Sequence, residues 1–114
     1  MRYLLLIYDA EAEFGKLSEK QINEMMAQYE KLTTDLKESG SFVGSHRLRP
    51  VSTATAVRVR NGETLLTDGP FAETKEQLGG YYLVDVKDLD EALQWAAKIP
   101  SARFGTIEVR PVWE

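Results

Sequence analysis

The chain has 114 residues, of which 43% are hydrophobic and 28% are charged, the size and balance of a single globular domain. Its net charge of -4 argues against a nucleic-acid partner, because such binding depends on Lys and Arg contacts to phosphate. With no cysteine and one histidine, the sequence has no disulfide framework, no thiolate nucleophile and no cysteine or histidine-rich metal site, and no cofactor is expected.

The N-terminal segment "RYLLLIY", residues 2–8, is a short apolar run of strand length. Its six consecutive apolar residues are too few for a signal peptide's apolar core and cleavage site, or for a membrane span. A cytoplasmic protein without a membrane partner is therefore expected. Both alternating sets of side chains in this run are apolar, which predicts a central strand that is buried on both faces.

Residues 18–39 are predicted to form a helix. Ser18 and Gln21 have the spacing of a capping box, in which each side chain satisfies a free backbone amide, and Gly40 suits the position just beyond the helix end. Apolar residues recur every three or four positions and form one stripe: Ile22, Met25, Met26, Tyr29, Leu32 and Leu36. We interpret this stripe as core, although its Met and Tyr side chains are also suited to line a ligand pocket.

A second strand is predicted at residues 41–48, followed by the clearest hairpin signal in the chain, "TAVRVRNGETLLT". Asn61 and Gly62 suit a type I′ turn because both residues tolerate a positive φ. With this two-residue turn, Val57 lies opposite Leu66, and the two faces of the hairpin separate into an apolar and a polar one.

Residues 79–86 are predicted as a further strand. Its Gly79–Gly80 pair either begins the strand with a bulge, which we favour, or lets a backbone or ligand approach closely. A second helix is predicted from Asp88, its N-cap, to Lys98, and Pro100 stops it. Its buried side is predicted to consist of Leu89, Ala92, Leu93, Ala96 and Ala97. The segment "GTIEVRPVW" closes the chain as the last strand.

The order of elements is strand, helix, strand, hairpin, strand, helix, strand. It predicts an α+β fold, a ferredoxin-like sandwich of βαβ–βαβ type with an inserted hairpin, in which both helices lie on one side of a mixed sheet. Two helices leave the second face of such a sheet uncovered, and a monomer rarely exposes a large apolar patch. We therefore expect a homodimer with its two sheets back to back, a dimeric α+β barrel. The alternative is that loops and Trp113 cover this face within one chain.

Residues 68–84, "DGPFAETKEQLGGYYLV", resemble the signature of the DGPF branch of the YCII-related family. The resemblance extends through "DLDEALQWAAKIP", "GTIEVRP" and "TATAVRVRNGE" and implies one YCII-like domain over residues 1–114, built as a dimeric α+β barrel. Some relatives in the broader family look like small lyase-type enzymes that act on cyclic compounds. The acid–base pair suggested there, a His on the first helix and an Asp before a Pro, has no counterpart here. Residues 18–39 contain no His, and Ile99 precedes Pro100.

The polar loop after the hairpin is the stretch in which a function is expected. Asp68, Gly69 and Pro70 are turn-forming residues, so Asp68 is either a turn cap or a functional carboxylate. Phe71 is interpreted as a hydrophobic plug that orders and partly buries the loop, with substrate stacking as the alternative. Glu73 and Glu76 belong either to a solvated charge run or to a substrate-binding loop over the open end of the barrel.

His46 and Asp68 are the candidate catalytic pair. An imidazole changes its charge near neutral pH, and Asp68 would orient it and stabilise its protonated form. Arg47 and Arg49 lie near His46 in the sequence and would hold an anionic substrate through forked contacts, with a plain surface role as the alternative. The sequence has no phosphate-binding glycine loop and no Ser/His/Asp order.

Two functions follow as hypotheses. The first is a small enzyme without a metal or organic cofactor that works by proton transfer on a small molecule. The second is a non-catalytic module that binds a small ligand or a protein partner. A deep cavity that joins His46 to Asp68 favours the enzyme, and a flat charged surface favours the module.

Overall fold

The computed structural model describes residues 1–114. Its elements are six strands, three α-helices and two 3-10 turns, in the order β1 (Arg2–Asp9), α1 (Glu11–Phe14), α2 (Glu19–Glu38), β2 (Phe42–Arg47), a turn (Val51–Thr53), β3 (Thr55–Arg60), β4 (Glu63–Asp68), β5 (Gln77–Asp85), α3 (Leu89–Ala97), a turn (Pro100–Arg103) and β6 (Thr106–Pro111). None of the helices is long and apolar enough to cross a membrane.

Four strands form the main sheet in the order β2-β5-β1-β6, and every neighbouring pair is antiparallel. This confirms the predicted ferredoxin-like α+β fold. The prediction of a mixed sheet is wrong. Each helical crossover joins two strands that run in the same direction, but another strand lies between them, so no parallel neighbours result.

The apolar segment at the N-terminus forms the predicted central strand, but the expected burial of both faces is wrong for this chain, because Leu4, Leu6 and Tyr8 are only half-buried. β1 pairs with β5 on one side and with β6 on the other. One set of its side chains lies on the helix-bearing face of the sheet, where Leu5 is fully buried. The core there consists of Tyr3, Leu5, Ile7, Leu32, Leu36, Tyr82, Val84, Val86, Ala92, Ala96 and Ile99. This core holds both long helices against a single face of the sheet.

Helix α2 begins and ends as predicted. The Ser18 hydroxyl accepts a hydrogen bond from the Gln21 amide at 3.1 Å, the Gln21 side chain accepts from the Ser18 amide at 2.9 Å, and Gly40 has a φ of 78°. In α3, Ala92 and Ala96 are buried as predicted. Leu89, Leu93 and Ala97 were expected on that side but are exposed, because the short helix turns only Ala92 and Ala96 fully onto the sheet.

Strands β3 and β4 form a separate two-stranded sheet, which we call the arm. Asn61 and Gly62 have φ values of 52° and 78°, and Val57 pairs with Leu66, so the predicted type I′ hairpin is confirmed. Both Val57 and Leu66 are exposed, at 60% and 67%. The radius of gyration is 16.1 Å, whereas about 13 Å is typical for a compact chain of this length. This larger radius agrees with an arm whose two strands pair only with each other and not with the main sheet.

The loop that follows the arm, residues 69–76, contains no helix or strand. Gly69, Pro70 and Glu76 are half-buried, whereas Phe71 is 81% exposed. The interpretation of Phe71 as a plug in its own chain is wrong, because the loop follows the arm, which stands apart from the main sheet.

The second face of the main sheet carries no helix. Its centre consists of half-buried apolar side chains, which we call the open face: Leu4, Leu6, Tyr8, Tyr81 and Leu83. Trp113 is 99% exposed, so the alternative in which Trp113 covers this face within one chain is wrong. The residue follows the last strand and extends away from the sheet.

Candidate active site

A cavity of about 580 Å³ lies on the helix-bearing side of the sheet, between the strand ends and the first part of α2. Its volume is within the range of small-molecule sites. The apolar part of its wall is formed by Ile7, Phe14, Met25, Met26, Leu48 and Pro50. The predicted α2 stripe is thus divided. Leu32 and Leu36 are core, whereas Met25, Met26 and Tyr29 border the cavity, as the alternative interpretation had it.

Asp9, the last residue of β1, contributes a half-buried carboxylate to the cavity. Burial raises the pKa of Asp9 above its ordinary value of 3.8, and the negative charges of Glu11 and Glu76 add to this rise. A hydrogen bond from Ser101 and the positive charge of Arg47 oppose it. A carboxyl group in such surroundings holds its proton to a higher pH than an exposed one, which suits an acid–base role.

Ser101 and Tyr29 connect Asp9 to α2 through a directed chain of hydrogen bonds. The Ser101 hydroxyl donates to Asp9 Oδ2 at 3.1 Å. Because that hydroxyl has one proton, the Tyr29 hydroxyl, 2.7 Å away, is the donor to Ser101 Oγ. Ser101 is 1% exposed, and burial also raises the pKa of Tyr29. These hydrogen bonds therefore fix the position of the Asp9 carboxylate, and all three residues border the cavity.

A second phenol, that of Tyr82, also borders the cavity. The Thr33 hydroxyl donates to the carbonyl oxygen of Tyr29 at 2.9 Å and therefore accepts from the Tyr82 hydroxyl at 2.8 Å. Burial raises the pKa of Tyr82. Both phenols are thus protonated donors that are held by neighbouring hydroxyl groups.

Arg47 and Arg49 supply the positive charge of the cavity. Arg47 pairs with Gly80, which places it on the helix-bearing face of the sheet, and its guanidinium carbon lies 5.7 Å from the centre of the Phe14 ring. Neither arginine has a carboxylate within 4.0 Å, since the ion pairs of this chain involve other residues. Glu11, on the same wall, is occupied by the Val51 amide at 2.8 Å.

The Gly79–Gly80 pair shapes the sheet beside the cavity. The β1–β5 register shifts between Ile7 and Tyr8, so the favoured bulge is confirmed. A close backbone approach is present as well: a Cβ on Gly80 would lie 2.7 Å from the carbonyl oxygen of His46. The β2 edge can pack this tightly because position 80 has no side chain.

His46 borders the cavity, but its pairing with Tyr81 puts its ring on the open face of the sheet. There His46 Nδ1 lies 2.8 Å from the Tyr81 hydroxyl oxygen. Asp68 is exposed at the end of β4, pairs with Thr55 in the arm and is not part of the cavity wall. No hydrogen bond joins His46 to Asp68 in this chain, and their pairing stays a prediction.

The other residues predicted for the site divide between the cavity and the loop. Arg47 lies in the cavity wall. Glu76 lies beside the cavity, where it accepts a hydrogen bond from the Thr106 hydroxyl at 2.9 Å and contributes to the raised pKa of Asp9. Phe71 and Glu73 are exposed and do not border the cavity.

Sequence reasoning missed Asp9 and Ser101. One signal for Asp9 was present, since it is the first charged residue after a strand that is apolar on both faces. Ser101 carried no comparable signal, because a serine after Pro100 is ordinary turn chemistry. No group of three or more His, Asp or Glu side chains with the arrangement of a metal site is formed.

Comparison with known proteins agrees with the loop signature and the fold. The YCII-related domain family matches residues 1–114. The chain is also similar to the uncharacterized protein R00369 of Rhizobium meliloti (strain 1021), with 39% identity over 114 residues that cover 98% of this chain and 92% of that protein. The chain therefore belongs to the YCII-related family.

Proposed function

We propose that this protein is a small enzyme that acts by proton transfer on a small molecule bound in the cavity, with Asp9 as the general acid or base. The observation that carries the proposal is geometric: a half-buried carboxylate borders a cavity of about 580 Å³ and is held by Ser101, which in turn is hydrogen-bonded to Tyr29. General acid–base catalysis by a positioned group contributes about 10²–10⁴-fold to a rate. Some relatives in the broader family look like lyase-type enzymes that act on cyclic compounds, and that chemistry requires such a group.

The experiment is a screen of cyclic keto and hydroxy compounds by proton NMR in D₂O, which detects loss of a C–H signal as well as elimination products. We expect the wild type to exchange or eliminate with at least one compound, and Asp9→Asn to lower that rate about 100-fold or more. Asp90→Asn, exposed on α3 and outside the cavity wall, is the matched control and should keep the wild-type rate. An Asp9→Asn protein that retains the full rate would contradict the proposal.

The pair predicted from the sequence, His46 and Asp68, is tested in the same assay. His46→Gln and Asp68→Asn are compared with Asp9→Asn on any compound that reacts. If both of these variants lose activity while Asp9→Asn keeps it, the His46–Asp68 pair is the working one. Phe71 and Glu73 then become its substrate-binding neighbours.

A non-catalytic ligand-binding module is the second candidate. It is favoured by the apolar part of the cavity wall, which suits binding whether or not a reaction follows. Saturable binding of a compound that the protein never converts, with wild-type affinity in Asp9→Asn, would support the module over the enzyme.

We also propose that the protein forms a homodimer, that it belongs to the DGPF branch of the family and that it is cytoplasmic. The open face supports the dimer, because its five apolar side chains remain half-buried without any covering element in the chain. Isologous packing of two such faces produces the back-to-back sheets of a dimeric α+β barrel. Sedimentation at twice 12.9 kDa is expected, and a monomer at micromolar concentration would contradict it.

A further inference from the structure

We propose that the ligand of the cavity is a carboxylate with an apolar ring or chain, held by Arg47 and Arg49 while its body lies against the methionine and phenylalanine wall. This inference rests on the proposed function only in using the same cavity. It concerns what binds there, and not whether Asp9 transfers a proton.

The two arginines are the first support. Both border the cavity, and neither has a carboxylate of this chain within 4.0 Å. A guanidinium group matches a planar carboxylate with two parallel hydrogen bonds. The Phe14 ring, 5.7 Å from the guanidinium carbon of Arg47, holds that group at the wall. The donors are therefore in place and lack an anionic partner.

The acidic groups of the cavity favour an anion over a cation. The carboxylate of Glu11 is already occupied by the Val51 amide, and that of Asp9 by the Ser101 hydroxyl. A cationic ligand would have to compete for both of them, and it would meet Arg47 and Arg49 as well. An anionic ligand, in contrast, can bind two guanidinium groups that form no ion pair within this chain.

The apolar part of the cavity wall indicates the nature of the uncharged part of the ligand. Phe14, Met25 and Met26 offer ring and thioether surfaces to which an uncharged ring or chain would bind. A small inorganic anion would leave this surface uncovered. The combination selects a molecule with one charged end and one apolar end.

The test uses matched pairs of probes at constant ionic strength: benzoate with benzamide, and phenylacetate with phenylacetamide. Binding is measured by calorimetry and by the rise in melting temperature that a ligand specific for the folded state produces. We expect each carboxylate to bind at least tenfold more tightly than its amide. Phenyl phosphate tests whether the site prefers a different anion, and binding tighter than benzoate would overturn the carboxylate assignment.

Three variants locate the binding. Arg47→Gln and Arg49→Gln should each weaken carboxylate binding by fivefold or more and leave amide binding unchanged. Arg58→Gln is the matched control, because Arg58 lies in the arm and not in the cavity wall. Equal binding of acids and amides, equal loss in all three variants, or no saturable binding of any carboxylate would overturn the inference.

The same experiment separates this inference from the proposed function. Arg47 lowers the pKa of Asp9, whereas Glu11 and Glu76 raise it, and the Ser101 hydroxyl and the Tyr29 phenol complete its surroundings. An anion on Arg47 should therefore draw a proton onto Asp9, seen as a binding enthalpy that depends on the buffer, and Asp9→Asn should abolish that dependence. Carboxylate binding without proton uptake supports the ligand assignment and counts against Asp9. Proton uptake by a protein that binds the amides more tightly than the acids counts against the ligand assignment and supports the role of Asp9.

Discussion

Ser101 Oγ donates a hydrogen bond of 3.1 Å to Asp9 Oδ2, across 92 positions of the sequence. It joins the turn after α3 to the end of the central strand. The carboxylate is thereby held at the wall of the cavity on the helix-bearing side of the sheet.

Replacement of Ser101 by Ala should raise the pKa of Asp9. The lost hydrogen bond is one of the two influences that lower this pKa, so the protonated form becomes more favourable. A separate hydrogen bond between Ser101 and Tyr29 lowers the pKa of Tyr29, which should therefore rise as well. We also expect a loss of stability of about 1–3 kcal/mol, because buried polar groups lose a partner. Carbon-13 NMR titration of the Asp9 carboxyl measures the shift.

The control for this variant is Ser39→Ala. The Ser39 hydroxyl donates to the Leu36 carbonyl oxygen within its own helix end and does not touch Asp9. The titration of Asp9 should be unchanged in that protein. An unchanged titration in Ser101→Ala too would show that the 3.1 Å bond does not act on the carboxylate.

Asp9→Asn should change how stability depends on pH. The folded-state pKa of Asp9 is raised above 3.8, so its contribution to stability is fully present below that pH and is lost as pH rises through the raised pKa. An amide is neutral throughout. Relative to wild type, the variant should therefore gain stability as pH rises. Urea unfolding between about pH 3 and pH 8 measures the difference in free energy.

Asp68→Asn serves as the control, since Asp68 is exposed in the arm. Its stability should follow that of the wild type across the range. A difference in unfolding free energy between Asp9→Asn and wild type that is the same at every pH would contradict the prediction, because ionisation of Asp9 would then not destabilise the folded state.

Gly80→Ala should destabilise the protein by about 1–3 kcal/mol, the usual range for overpacking. A Cβ there would lie 2.7 Å from the backbone oxygen of His46, and a backbone cannot move aside as a flexible side chain can. Gly44→Ala is the matched control on the neighbouring strand, because a Cβ at Gly44 meets nothing within 4 Å. That change should be neutral or stabilising by about 0.5 kcal/mol. Thermal unfolding of both variants compares them, and equal stabilities would refute the close-approach argument.

Leu6→Lys should dissociate the proposed homodimer while the monomer stays folded. Leu6 lies at the centre of the open face, half-buried and opposite Glu108 on β6, so a lysine there has a carboxylate neighbour in the monomer. In a back-to-back dimer the same lysine would be buried without solvent, which is strongly unfavourable. Sedimentation velocity together with circular dichroism distinguishes dissociation from unfolding.

Leu93→Lys is the corresponding control on the other side of the sheet, where Leu93 is 46% exposed on α3. It should sediment as the wild type does. If Leu93→Lys dissociates the protein and Leu6→Lys does not, the interface lies on the helical side and the proposed arrangement is wrong.

Local patterns in the sequence determined most of the elements. The capping box of Ser18 and Gln21, the positive φ of Gly40 and the turn at Asn61–Gly62 depend on residues a few positions apart, and all three are present as predicted. The two-sided apolar pattern of residues 2–8 likewise identified the central strand, which pairs with β5 on one edge and β6 on the other.

Only the tertiary structure decided where these elements meet. Asp9, Tyr29 and Ser101 lie far apart in the sequence and form one hydrogen-bonded chain because strand order brings their elements together. The charged loop after the arm looked more functional, since charge density is visible in sequence. Desolvation is a property of the surrounding fold. Burial is the largest cause of the raised pKa of Asp9, ahead of the negative charge of its chain neighbour Glu11, and makes it the candidate acid or base.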